Sequence, residues 1–482
     1  MMKCFLYVFL MLATPAFSQK QVRVACVGNS ITFGAGIENR ARDSYPAQLQ
    51  TMLGSAYHIM NFGSNGATLL KNGNNPYWKT QACRQALESA PDIVIIKLGT
   101  NDSKRVNRSF YGEFVNDYKA LIRSFAELPS HPRILLLLPV PSFVEDSNAI
   151  YDPVIEKQIT PMIRQAALDT HTELIYLRPL FIEKRQLFPD RIHPNVEGAR
   201  IIAQRVYEAI RTPQPDPEFD LFRNLKRQLG TAFDTTGQAL SSFYGFECVS
   251  FRYAGRPCKV VRPKVTAGNR PWVWRARFWG HEPQTDIFLL ERGFHIVYCD
   301  VAELFGNAEA IAAWNRFYKL LQTGGLAKRA VMEGMSRGGV YVYNWALSNP
   351  GKIAGVYADA PVLDLKSWPG GKGAGPGDKA SWEIFKQDYK LSDAQADQFV
   401  NSPLDHAGKI ARLGFPMLHV VGDADEVVPV AENTTPFEQR IKKAGGKIKV
   451  IHKAGVGHHP HSLTDPTPIV DFILDAVHFP RP

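Results

Sequence analysis

Residues 22–32 read VRVACVGNSIT: a short, β-branched apolar run that ends at Gly28 and passes directly into the polar turn Asn29-Ser30. A run apolar on both alternating faces is a strand covered on both sides, as in a parallel sheet sandwiched by helices. Working outward, similar runs follow at 57–63, 91–99, 133–140 and 173–179, with helical periodicity between them. The spacing predicts a three-layer α/β/α unit with a parallel sheet. A serine just past such a strand stands at the carboxyl edge of the sheet, where α/β proteins build their sites. Alone, a serine after Gly-Asn is more often a helix N-cap.

Three further segments sit at the same edge. NFGSNGAT (61–68) offers Gly66, whose missing side chain permits close backbone approach to a ligand. KLGTND (97–102) projects the Asn101 amide, and FPDRIHPN (188–195) supplies Asp190 and His193 on one turn. A carboxylate so placed can orient an imidazole and stabilise its charged form. Singly, Asn101 reads as a turn residue, Gly66 as a bend and Asp190 as a cap; in order, each after a strand, they read as one site.

The blocks GNSIT, NFGSNGAT, GTND and DRIHPN resemble those of the SGNH (GDSL-like) hydrolases, over roughly residues 20–212. The resemblance implies Ser30 as nucleophile and His193 as general base steered by Asp190. It also implies an oxyanion hole made of the Ser30 N–H, the Gly66 N–H and the Asn101 amide. The family's usual Asp before the nucleophile is Asn29 here, which alters the hydrogen bonding of the loop.

Thr212 to Asp220 carries Pro213, Pro215 and Pro217 among polar residues, a composition that cannot continue a helix. The expected organisation is a signal peptide at 1–18, a hydrolase domain at 19–211, a linker at 212–220 and a second domain at 221–482. The second half has strand candidates near 258–264, 270–278, 294–300, 329–335, 353–361, 416–425 and 447–455. An insertion, SWPGGKGAGPGDKASW (367–382), runs on into helical sequence to about Val400 and is placed to cap a site. RAVMEGMSRGG (329–339) carries a strand into Gly334-Met335-Ser336-Arg337-Gly338, the G-x-S-x-G nucleophile elbow, whose glycines are expected where a Cβ has no room. MLHVVGDADEVVP (417–429) then offers Asp425, with Asp423 as rival, and VIHKAGVGHHPHS (450–462) offers His458, with His459 and His461 as rivals.

The order Ser336, Asp425, His458 is similar to that of the α/β-hydrolases, and this resemblance implies an α/β-hydrolase domain with the Arg337 N–H as one oxyanion donor. The family's acid often lies in G-x-x-D-x-x-V-P, matched by Gly422 through Pro429, and its histidine directly after Gly, matched by His458. The second oxyanion donor is expected near Arg275 to Arg277. There Trp272, Trp274 and Trp279 could stack on sugar rings and the arginines hold a carboxylate, or alternate residues could simply fill the core. Arg after the nucleophile is partly similar to glucuronoyl esterases, which favours a uronate ester. The histidine cluster lacks a nearby carboxylate pattern, so no metal is expected, and no cofactor.

Lys3, the apolar run Cys4–Ala13 and the small residues Ala16 and Ser18 read as a cleavable secretory signal, too short to span a bilayer. A secreted or periplasmic location follows, with no membrane span. The net charge of +10 is spread along the chain without a basic arm, so nucleic acid is not an expected partner. Of the cysteines, Cys248 and Cys258 flank a turn-like segment and are candidates to pair. Together these readings point to an exported bifunctional carbohydrate esterase. It would remove acetyl groups at the first site and a uronate methyl or aryl ester at the second, from an ester-substituted polysaccharide of pectin or xylan type. The alternatives are a lipase or phospholipid esterase, and one catalytic domain joined to a glycan-binding, hydrolase-like one.

Overall fold

The computed structural model describes residues 20–211 and 216–480. The signal peptide expected at 1–18 and the first four linker residues lie outside them. The first sheet is built from β1 (Val22–Gly28), β2 (Tyr57–Gly63), β3 (Ile93–Lys97), β4 (Arg133–Leu137) and β5 (Glu173–Ile175). Its order is β2-β1-β3-β4-β5, with every neighbour parallel. Alternate strand residues face opposite layers: Val24, Cys26, Ile93 and Ile95 enter one core, while Ala25, Val27, Val94 and Ile96 enter the other. Helix Val196–Arg211 closes one face with Ala199, Ile202, Ala203, Val206 and Ile210, a single helical stripe.

β3 ends in Lys97, opposite Gly28 of β1, fully buried and with no hydrogen-bond partner for its ammonium among the described residues. Burial pushes this amine down to about 7. The sign follows from proton binding. Above that value the unfolded chain holds a proton that the folded chain has released, so stability rises with pH until an unfolded lysine titrates near about 10.4. Lys97→Met is expected to stabilise the protein by about 1–3 kcal/mol at pH 7 and to remove this rise. Denaturant unfolding at pH 7 and 9 checks it; an equal rise in both proteins overturns it.

The second sheet contains β6 (Leu240–Phe243), β7 (Phe246–Tyr253), β8 (Arg256–Val261), β9 (Trp272–Arg275), β10 (His295–Cys299), β11 (Ala330–Met335), β12 (Ile353–Asp359), β13 (Met417–Gly422) and β14 (Ile448–Lys453). Its order is β14-β13-β12-β11-β9-β10-β8-β7-β6, parallel from β14 to β10 and antiparallel beyond. The chain is thus α/β throughout: an SGNH-like parallel sheet followed by an α/β-hydrolase sheet. β6 and β7 were not expected from sequence. β7 is covered on both faces, with Phe246 and Cys248 entering one core and Val249 and Phe251 the other, while Glu247, Ser250 and Arg252 are less buried; the turn at Ala254-Gly255 joins it to β8. That register corrects the expected cysteine pairing. Cys248 lies opposite Val261 and Cys258 opposite Phe251, so these two cysteines stand out of step on adjoining strands. The cross-strand neighbour of Cys258 is Cys299, and both are free thiols.

The two sheets share a buried boundary. Glu291 accepts from Arg205 (2.6 Å) and from the Tyr176 N–H (2.6 Å), and Arg292 donates to Glu208 (2.8 Å). Lys184 pairs with Asp465 (3.2 Å), and Asp216, within the proline-rich segment, is held by Arg270 (2.6 Å) and by Thr266. Each guanidinium–carboxylate pair lies between partners far apart in sequence, so the network fixes how one sheet meets the other. No helix among the described residues is long and apolar enough to cross a membrane.

Candidate active sites

At the end of β1, Asn29 caps the short helix Ser30–Phe33, its side chain accepting from the Ile31 N–H (3.1 Å). Its amide nitrogen is buried without a partner among the described residues. Ser30 follows, and its Oγ lies 2.8 Å from His193 Nε2. His193 Nδ1 lies 2.5 Å from Asp190 Oδ2, while Asp190 Oδ1 accepts the N–H groups of His193 (2.7 Å) and Ile192 (3.0 Å). Partial burial opposes the charge of Asp190, but these hydrogen bonds outweigh it and hold the carboxyl below its usual range. Arg191 in left-handed backbone lets so short a loop turn both side chains inward.

Gly66 is also left-handed (φ +74°), and a Cβ there would meet Asn75 at 3.2 Å. The backbone N–H groups of Ser30 and Gly66 take no acceptor within the described backbone. Asn101 Nδ2 donates to Ala67 O (3.1 Å), and Asn107 holds the Asn101 carbonyl (3.0 Å). One amide hydrogen of Asn101 is therefore committed and the other remains for a ligand. Sequence reasoning missed Asp102, the last letter of GTND. It is buried and accepts from Leu69 (3.0 Å) and Leu70 (2.9 Å), tying the Gly66 loop to the Asn101 turn; burial pushes its carboxyl up to about 6.

At the end of β11, Ser336 has φ +48°, the conformation of an elbow that presents its side chain above the sheet. Its Oγ lies 3.0 Å from His458 Nε2, and His458 Nδ1 lies 2.8 Å from Asp425 Oδ2. Asp425 Oδ1 accepts from Val427 (2.9 Å) and Val428 (2.8 Å). The rivals lie elsewhere. Asp423 pairs with His452 (2.6 Å) on the surface, and His461 pairs with buried Asp359 (2.7 Å). Of the elbow glycines, only Gly334 is sterically demanded, because a Cβ there would sit 2.9 Å from Gly338 O. At Gly338 a Cβ would make ordinary contacts at 3.7 Å; the crowded neighbour is Gly339, 2.6 Å from Pro361.

The Arg337 N–H takes no acceptor in the described backbone, whereas Ala276 donates to Glu333 O (2.9 Å). Within the Arg275–Arg277 segment this leaves the Arg277 N–H, whose Cβ flanks Gly338. The side chains here correct the expectation of sugar stacking and carboxylate binding. Trp272 and Trp274 are wholly buried, packed with Trp314 and Trp345. Arg275 is 1% exposed, bonded to Asp286 and 3.3 Å from Glu333, and the Arg277 guanidinium donates to Ala302 O (2.8 Å). Trp279 remains half-buried against Phe243 and Tyr298. The insertion does reach this site: the Arg337 guanidinium lies over the rings of Phe305 (5.0 Å) and Trp368 (5.7 Å).

Two sheets, each presenting a serine–imidazole–carboxylate line beyond its strand ends, define a tandem of serine-hydrolase-type domains. Residues 26–201 match the model of the GDSL-like Lipase/Acylhydrolase family and residues 311–479 that of the Prolyl oligopeptidase family. An acetylxylan esterase of Xylanibacter ruminicola is 39% identical over 215 residues, covering 41% of this chain and 45% of that protein. The match thus spans less than half the length of that relative. Among solved structures, a carbohydrate acetylesterase from Sinorhizobium meliloti shares 19% identity over 39% of this chain and 98% of its own (TM-score 0.33). An acylaminoacyl peptidase from Pyrococcus horikoshii shares 16% identity over 44% of this chain and 38% of its own (TM-score 0.36).

Proposed function

We propose that the protein is an exported carboxylic ester hydrolase that removes acetyl groups from plant polysaccharide at Ser30 and a second carboxylic ester at Ser336. The observation that carries the reading is the Ser30–His193–Asp190 line, to which the Ser30 and Gly66 N–H groups, without backbone acceptors among the described residues, and the Asn101 amide add the candidate oxyanion donors. A serine hydroxyl is a weak nucleophile until a base takes its proton. His193 does so as the oxygen attacks the acetyl carbonyl, and Asp190 stabilises the imidazolium. The donors hold the tetrahedral oxyanion, each worth about 10²–10³ in rate. As the bond to the sugar breaks, the His193 imidazolium protonates the departing sugar oxygen, and water then releases acetate from Ser30 with His193 as base and acid in turn. The acetylxylan esterase relative supports an acetylated xylan as substrate.

Ser336, His458 and Asp425 repeat this chemistry, with the Arg337 and Arg277 N–H groups as oxyanion donors. The division at residues 212–220 and export by residues 1–18 belong to the same reading, since the substrates are extracellular. The prolyl oligopeptidase match favours a second reading of the C-terminal centre alone, as a peptidase. The test is acetate and methanol release by the intact chain from acetylated xylan and from acetylated, methyl-esterified pectin, beside a panel of peptide anilides. Acetate release from xylan or pectin is expected; turnover confined to the anilides overturns the proposal.

A further inference from the structure

His281, His459 and His461 each place one ring nitrogen within 4.8 Å of the other two. The sequence groups His459 and His461 with His458, but the fold commits His458 to Ser336 and brings in His281 from the turn after β9. His461 is the best prepared of the three. Its Nδ1 lies 2.7 Å from Asp359, a carboxylate 1% exposed that also accepts from Tyr357 OH (2.7 Å) and the Ser462 N–H (2.9 Å). With Nδ1 turned to this carboxylate, Nε2 is the ring nitrogen left for another partner. A carboxylate behind an imidazole is the usual support of a metal-binding histidine. The carboxylate that the sequence did not reveal is thus supplied from the end of β12.

The His281 side is also preset. Phe278, Gly280 and Glu282 all take left-handed backbone, and buried Arg275 donates to the carbonyls of Phe278 (3.2 Å) and His281. His281 and His459 are exposed, and His461 borders a cleft of about 440 Å³ lined also by Glu282, Gln284 and Lys453. Edge-to-face ring packing accounts for the spacing of the rings, with centroids 4.7–6.0 Å apart. It does not account for a buried carboxylate held behind the innermost ring.

We propose that His281, His459 and His461 bind one divalent ion of the zinc class, with a fourth position open to solvent. Three neutral imidazoles without thiolate or direct carboxylate suit zinc, copper or nickel and not calcium or magnesium. Zinc–nitrogen bonds of about 2.0–2.1 Å are reached by rotating the two exposed rings inward. The ion would tie the turn after β9, next to the Arg277 N–H, to the loop that carries His458, bracing both sides of the Ser336 centre.

The test uses the full chain stripped with a chelator and titrated with Zn²⁺ by calorimetry, with Co²⁺ absorption reporting tetrahedral nitrogen coordination. One ion per chain is expected, raising the unfolding midpoint. In His281→Ala and His459→Ala, both at exposed positions, affinity is expected to fall at least about tenfold. Absence of stoichiometric binding overturns the proposal, and so does unchanged affinity in the double variant, which would place the ion elsewhere.

Discussion

Ser30→Ala is expected to lower acetate release from acetylated polysaccharide by about 10⁴–10⁶-fold while leaving turnover at Ser336 untouched. The substitution removes one oxygen, the atom 2.8 Å from His193, and keeps the backbone N–H that serves the oxyanion. Among the described residues Oγ bonds only His193, so the unfolding midpoint should not move. The loss is therefore chemical and not structural, and a folded Ser30→Ala protein that still releases acetate at the original rate sinks the N-terminal assignment. The steepness comes from the interdependence of the line: without the hydroxyl, His193 has nothing to activate and Asp190 stabilises a charge that never forms.

Ser336→Ala is expected to produce a loss of similar size on the second substrate, with acetate release retained. Here the backbone is part of the argument. Residue 336 sits at φ +48°, a conformation costly for any side chain, and alanine occupies it with the same Cβ as serine. The strain of the elbow is thus unchanged and only the oxygen 3.0 Å from His458 is lost. A fluorophosphonate probe reads both centres at once, with two labels on the parent chain, one on each single variant and none on the double. A single label on the parent chain, or loss of both activities from one substitution, would refute two independent centres.

Much of this was legible because strands and elbows are local. Five runs in the first half and seven in the second predicted strands within a few residues of those observed, since a side chain alternates between layers every second residue whatever lies beyond. β6 and β7 escaped because their mixed polar and apolar pattern borders the cysteine-flanked turn, which reads as loop. Asp425 and His458 stood out by their neighbours Gly422, Pro429 and Gly457, and the fold brings both to Ser336.

The sequence by itself determined the alternation of strands and helices, the Ser30 turn and the Ser336 elbow beyond strand ends and the order of the candidate residues, because each depends on neighbours a few positions away. Tertiary structure alone decided which tryptophans fill the core, that Arg275 answers Asp286 and not a ligand, that Asp359 backs His461, and that His281 joins His459. Those outcomes join residues up to 178 positions apart, and such contacts depend on where the chain returns after crossing the sheet, which no local pattern records.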